Sequence, residues 1–174
     1  SGILNMARDE LEWIEAAPRF VHYPEIAGKE AWITPEQWIR LAGVLPGHLL
    51  GPAQFALATG LRQAKVMGLR WDQIDIKGRW MRFDGTANKL GNVIPLNDTA
   101  MVALQMARDA PVVHATRVWL YRGQPFAKPK VGWYNALMEA DLGRYDDGKW
   151  SGFTWHGLRH TFASWLAQRA VPED

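Results

Sequence analysis

The segment Thr154-Trp155-His156-Gly157-Leu158-Arg159-His160-Thr161-Phe162-Ala163 places two opposed demands on one stretch of backbone. At about 100° per residue, His156, Arg159 and His160 share an arc roughly 100° wide, and Leu158, Phe162, Trp165 and Leu166 fill a different arc. The pattern predicts a helix over 154–170. One face packs; the other offers two imidazoles and a guanidinium close to the helix N-terminus. Free N–H groups and the helix dipole favour anions at that end. The natural ligand for such a face is a phosphate.

The rest of the chain reads as helices interrupted once by strands. Residues 3–16 read as an acidic helix, followed by an irregular linker between Pro18 and Pro24. Thr34-Pro35-Glu36-Gln37 is a helix start: a capping-box Thr, Pro at the first helical position and Gln three residues after the cap. Trp38, Leu41, Ala42 and Leu45 follow at i, i+3, i+4 and i+7. Residues 49–58 read as a buried helix broken at Gly60, and a new helix starts at Arg62. The period then changes. Ile74, Ile76, Trp80, Met81 and Phe83 around Lys77-Gly78 predict a hairpin. Residues 87–92 predict a turn, and Val93-Ile94-Pro95-Leu96 a third strand, at an edge because of Pro95. Asn97-Asp98-Thr99 caps a helix to about Arg108. Residues 111–130 read as irregular and moderately basic with one short strand near 117–120. A helix over 131–141 and a turn at Asp146-Asp147-Gly148 precede the last helix. The expected fold class is mainly α with a small three-stranded antiparallel sheet (α+β).

Composition sets the outer limits. A chain of 174 residues, 48% apolar with ten Trp, suits one domain with a sizeable core rather than a disordered segment. Most of the tryptophans are expected in that core, with Trp71, Trp155 and Trp165 bracing motif residues. There is no cysteine, which excludes disulfides, a thiolate nucleophile and Cys-based metal sites. No apolar run approaches the ~20 residues of a membrane span, and no signal peptide is visible, so a cytoplasmic protein is expected. Net charge is only +2, but its distribution is uneven. Residues 59–92 carry seven Lys/Arg against three acids, and residues 1–20 four acids against two bases. A local basic stretch is the electrostatic footprint of a phosphate-backbone partner.

Each candidate also has a plainer reading. A single Arg62 near a helix start suits a surface ion pair, and a single Lys89 in a hairpin is usually solvated. His160 suits a buried structural hydrogen-bonder. His156 and His160, at i and i+4, have half the spacing of a zinc site. Arg159 on the same face repels a cation, and no acidic or Cys partner is evident, so no metal and no cofactor is expected.

Three segments taken together say more. Thr59-Gly60-Leu61-Arg62, then Lys89 before Val93-Ile94-Pro95-Leu96, then His156-Gly157-Leu158-Arg159-His160 resemble, in order and spacing, the tyrosine recombinases of the phage-integrase type. The resemblance covers about residues 34–170. It implies a recombinase catalytic-domain fold acting on double-stranded DNA, with self-association on DNA in the full-length protein. It implies site-specific recombination, the integration or excision of a mobile element, by transesterification through a 3′-phosphotyrosyl intermediate. Arg62 and Arg159 would hold the non-bridging oxygens of the scissile phosphate. Lys89 would protonate the departing 5′-oxygen, and His156 would be the general acid–base. His160 and Lys65 are supporting positions; Lys65 stands where many relatives carry an acid. The family's nucleophilic Tyr lies some thirty or more residues beyond the His-Arg box, and Tyr23, Tyr121, Tyr134 and Tyr145 all precede it. Residues 1–27 are therefore expected to be a linker and the remnant of a preceding DNA-binding domain. Residues 28–174 are expected to be a partial catalytic domain, truncated before the Tyr, with no nucleophile and no cleavage of its own. A non-catalytic DNA-binding fragment is the alternative reading.

Overall fold

The computed structural model describes residues 32–84 and 91–170. The expected helix over 3–16, and most of the turn expected at 87–92 with its Lys89, lie outside the described residues.

Helix α1 (Pro35–Val44) starts where its cap predicts. Thr34 Oγ1 accepts from the Gln37 N–H at 3.3 Å, and Gln37 Oε1 accepts from the Thr34 N–H at 2.8 Å. The two donors that helix geometry leaves orphaned are satisfied reciprocally. Helix α2 (Gly47–Thr59) is buried on almost every side, with Leu49, Ala53 and Phe55 fully enclosed. It is apolar all round, as a central helix must be. It packs against α4 (Asp98–Arg108) and α6 (Trp155–Ala170), while α1 packs against α5 (Lys130–Glu139). Gly60 ends α2 in the left-handed region at φ 63°, and α3 (Gln63–Met67) follows with Arg62 as its N-cap.

Strands β1 (Ile74–Asp75), β2 (Trp80–Phe83) and β3 (Asn92–Pro95) form the expected antiparallel sheet, in that order. Met81 and Phe83 point into the core, while Trp80 and Arg82 face out. Pro95 sits on an edge strand, where its missing N–H breaks no ladder. Asn97 caps α4 by accepting from the Ala100 N–H at 2.9 Å. Its Nδ2 donates to the Ala58 carbonyl at 3.0 Å, which ties the sheet's exit to the end of α2.

Strand content exceeds the expectation. The stretch read as irregular contains a hairpin of β4 (Leu120–Tyr121) and β5 (Gln124–Pro125). The turn at 146–148 joins β6 (Gly143–Asp146) to β7 (Lys149–Gly152). Neither shows the alternation of a half-buried strand. The second is held by an aromatic cross-strand pair, Tyr145 opposite Trp150, with ring centroids 5.2 Å apart.

Helix α6 spans nearly the predicted range but differs in its packing face. Leu158 and Thr161 are fully buried, Phe162 and Trp165 are half-buried, and Leu166 is 58% exposed. The helix grips the first described residues by main chain. Thr161 Oγ1 accepts from the Ile33 N–H at 3.1 Å and donates to the Gly157 carbonyl at 2.8 Å, and Trp165 Nε1 donates to the Ile33 carbonyl at 3.0 Å. The tryptophans divide more evenly than expected: Trp119, Trp133 and Trp155 are buried, while Trp38, Trp71, Trp150 and Trp165 lie half-buried at the core's margin. Among the described residues, no helix is long and apolar enough to cross a membrane.

Candidate active site

The α2–α3 turn and the first turns of α6 meet. Arg159 Nη1 donates to the Gly60 carbonyl at 2.5 Å, across 99 residues of sequence. Gly60 lies two residues before Arg62 in the chain. The contact is close on the far side as well: a Cβ at Gly60 would stand 2.4 Å from Phe162 Cδ1. Gly60 therefore meets two needs. Its left-handed φ turns the chain out of α2, and its lack of a side chain lets α6 approach. A guanidinium has five N–H donors, so one bond to Gly60 fixes the group and leaves its remaining edge for an anion.

Arg62 is exposed at the start of α3. Lys65, one turn on, is also exposed and places its ammonium 4.7 Å from the centre of the Phe83 ring. Lys89, in the connection between β2 and β3, lies outside the described residues. His156 and His160 stand on the open face of α6 with ring centroids 4.7 Å apart and planes at 86°. His160 is exposed rather than a buried hydrogen-bonder, because the elements packed on α6 cover its Leu158–Thr161 side instead. Both imidazoles line a cleft of about 380 Å³ shared with Trp32, Gln37, Asp141 and Thr154. Among the described residues, no group of three or more His, Cys, Asp or Glu is placed to hold a metal ion.

Two of the seven basic residues read along 59–92 are paired with carboxylates at the surface. Arg70 pairs with Asp72, and this partner holds the guanidinium's pKa above its usual value. Arg79 pairs with Asp98. The anchoring role of Gly60 was not legible from sequence. A glycine after a helix is a cap signal, and nothing local says which helix closes over it.

The profile of the phage integrase family matches residues 32–174. The chain belongs to that family. It is 28% identical over 188 residues to the integrase of Salmonella phage P22, an alignment covering 98% of this chain and 45% of that protein. The chain thus spans under half the length of that relative. In structure it resembles the Tn1549 transposon integrase, solved in complex with circular intermediate DNA. That likeness has a TM-score of 0.62 and 18% identity, over 86% of this chain and 58% of the other. It resembles equally a lambda integrase dimer bound to a COC′ core site, with TM-score 0.62 and 15% identity over 95% and 62% of the two chains. At these identities the structural likeness establishes the fold, a mostly helical α+β integrase domain.

Proposed function

We propose that this integrase-family chain handles the scissile phosphate in site-specific DNA recombination. The observation that carries the reading is the Arg159–Gly60 bond, which fixes one arginine on the turn that leads into the other. In this reading Arg62 and Arg159 hold the two non-bridging oxygens and offset charge as the five-coordinate phosphorus forms. A tyrosine phenol oxygen forms the new bond to phosphorus as the bond to the 5′-oxygen breaks. Lys89 supplies the proton to that leaving oxygen, and His156 is the general acid–base. His160, edge-on to His156, limits its rotation. The phosphotyrosyl bond keeps the energy of the phosphodiester, so rejoining needs no ATP. The full-length protein self-associates on its duplex.

A second reading applies to the 174-residue chain by itself. Tyr121 packs against His48, and Tyr134 and Tyr145 pack against Trp150. These contacts engage three of the four tyrosine rings, Tyr23 lying outside the described residues, and the second reading is duplex binding without cleavage. A nicked duplex that traps covalent intermediates separates the two. The expected result is a gel shift without a covalent adduct. An adduct mapped by mass spectrometry to Tyr23, Tyr121, Tyr134 or Tyr145 overturns the assignment of the attacking group. A chain that does not bind duplex DNA overturns the function.

A further inference from the structure

The chain from Ala110 to Met138 contains Arg117, Arg122, Lys128 and Lys130 and no Asp or Glu. Arg117 is turned inward, with Nη1 donating to the Gly68 carbonyl at 2.5 Å. Arg122, Lys128 and Lys130 are exposed, and among the described residues no carboxylate pairs with them.

The geometry of these three is not that of loose surface charge. Arg122 and Gly123 form the two-residue turn between β4 and β5, with φ of 51° and 76°. Such turns favour Asn-Gly, Asp-Gly or Gly-Gly, so a long cation stands where a short side chain or none is usual. Its guanidinium lies 5.2 Å from the centre of the Tyr121 ring. That ring stacks on His48 at 4.4 Å, and His48 lies edge-on to Phe126 at 5.6 Å. The hairpin tip is thus held against the start of α2. Pro125 and Pro129 restrict the backbone on either side of Lys128.

Lys128 also lines a cleft of about 540 Å³ whose opposite wall includes Gln63 and Ala64, the residues that follow Arg62. Lys128, on the segment that links the Arg122 hairpin to Lys130, and the residues that follow Arg62 therefore border one cleft. A guanidinium stacked on a ring keeps its N–H edge free, and that edge matches phosphate oxygens. We infer that Arg122, Lys128 and Lys130 form a second duplex contact, gripping backbone phosphates that flank the one engaged by Arg62 and Arg159. The inference rests on the proposed DNA reading and adds to it where the flanking duplex runs.

The test is the salt dependence of binding to a labelled duplex, measured by fluorescence anisotropy on the full chain. Each phosphate contact contributes about 0.9 to the slope of log affinity against log salt. The triple variant Arg122→Ala, Lys128→Ala, Lys130→Ala is expected to lose roughly 2–3 from that slope. Its Kd at low salt should rise at least about tenfold. Lys149→Ala, exposed beside Asp146 and Asp147 on the β6–β7 hairpin and outside both basic stretches, is expected to change neither. If the triple variant keeps the wild-type slope while Arg159→Ala weakens binding, this inference is overturned and the DNA reading stands. If the triple variant loses affinity for poly-glutamate but not for DNA, these three cations serve an acidic protein instead and the inference is again overturned. If the unmodified chain shows no salt-dependent duplex binding, both fail together.

Discussion

Gly60→Ala tests the junction between the α2–α3 turn and α6. Two costs combine. An L-residue at φ 63° loses about 1–2 kcal/mol relative to the right-handed region. The new methyl carbon would stand 2.4 Å from Phe162 Cδ1, against the ~3.5–4.0 Å at which carbons rest, and overpacking of this kind costs about 1–3 kcal/mol. Alanine's stiffer unfolded chain returns about 0.4–1 kcal/mol. The net loss is about 1–4.5 kcal/mol, which for a domain of this size lowers Tm by about 2–18 °C. Thermal melts followed by circular dichroism measure it. Phe162→Leu in the same chain should return the steric part and leave the backbone part, so the two changes should be non-additive. Duplex affinity should fall in Gly60→Ala beyond what the unfolded fraction explains, because the carbonyl that anchors Arg159 moves. A Tm within 2 °C of wild type would show that the turn and α6 are not locked together in this way.

Other outcomes follow from the same contacts. Thr161→Val leaves the buried Ile33 N–H without its acceptor and should cost about 1–3 kcal/mol in urea unfolding, with Thr161→Ser close to wild type. Thr34→Ala removes one half of the capping box and should cost about 0.5–2 kcal/mol by the same measurement. Burial lowers the pKa of His48 below its ordinary value, so the unfolded chain takes up a proton before the folded one does. Stability should therefore be level above about pH 6.5 and decline below it, down to the folded pKa, and His48→Phe should flatten that decline.

What could be read from the sequence was local. The Thr34–Gln37 box, the Asn97 cap and the edge position of Pro95 each depend on neighbours within a few residues, and each appears where expected. The two extra hairpins gave little signal because each is short. Arg122 occupies a position that sequence rules reserve for Asn or Gly, and Arg144-Tyr145 opposite Trp150-Ser151 follows no apolar alternation. Helix periodicity located the faces of α6 but not what covers them. Leu166 was therefore expected to pack and is exposed, and His160 was expected to be buried and is not. The proposed set of Arg62, Lys89, His156 and Arg159 rests on motif order. The contacts that hold the Arg159-bearing helix in place, Arg159 on Gly60 and Thr161 on Ile33, join residues 99 and 128 positions apart and leave no trace in either neighbourhood.

That separation also has a consequence in time. Ribosomes add roughly 5–20 residues each second, so some 5–20 s pass between synthesis of Gly60 and arrival of Arg159, 99 positions later. Throughout that interval Phe162 is missing from beside Gly60, and Ile33 lacks both of its partners on the last helix. The nascent chain can build α2, the sheet and α4 while the junction stays open. The two arginine-bearing segments meet only when translation has passed almost to the end of this sequence.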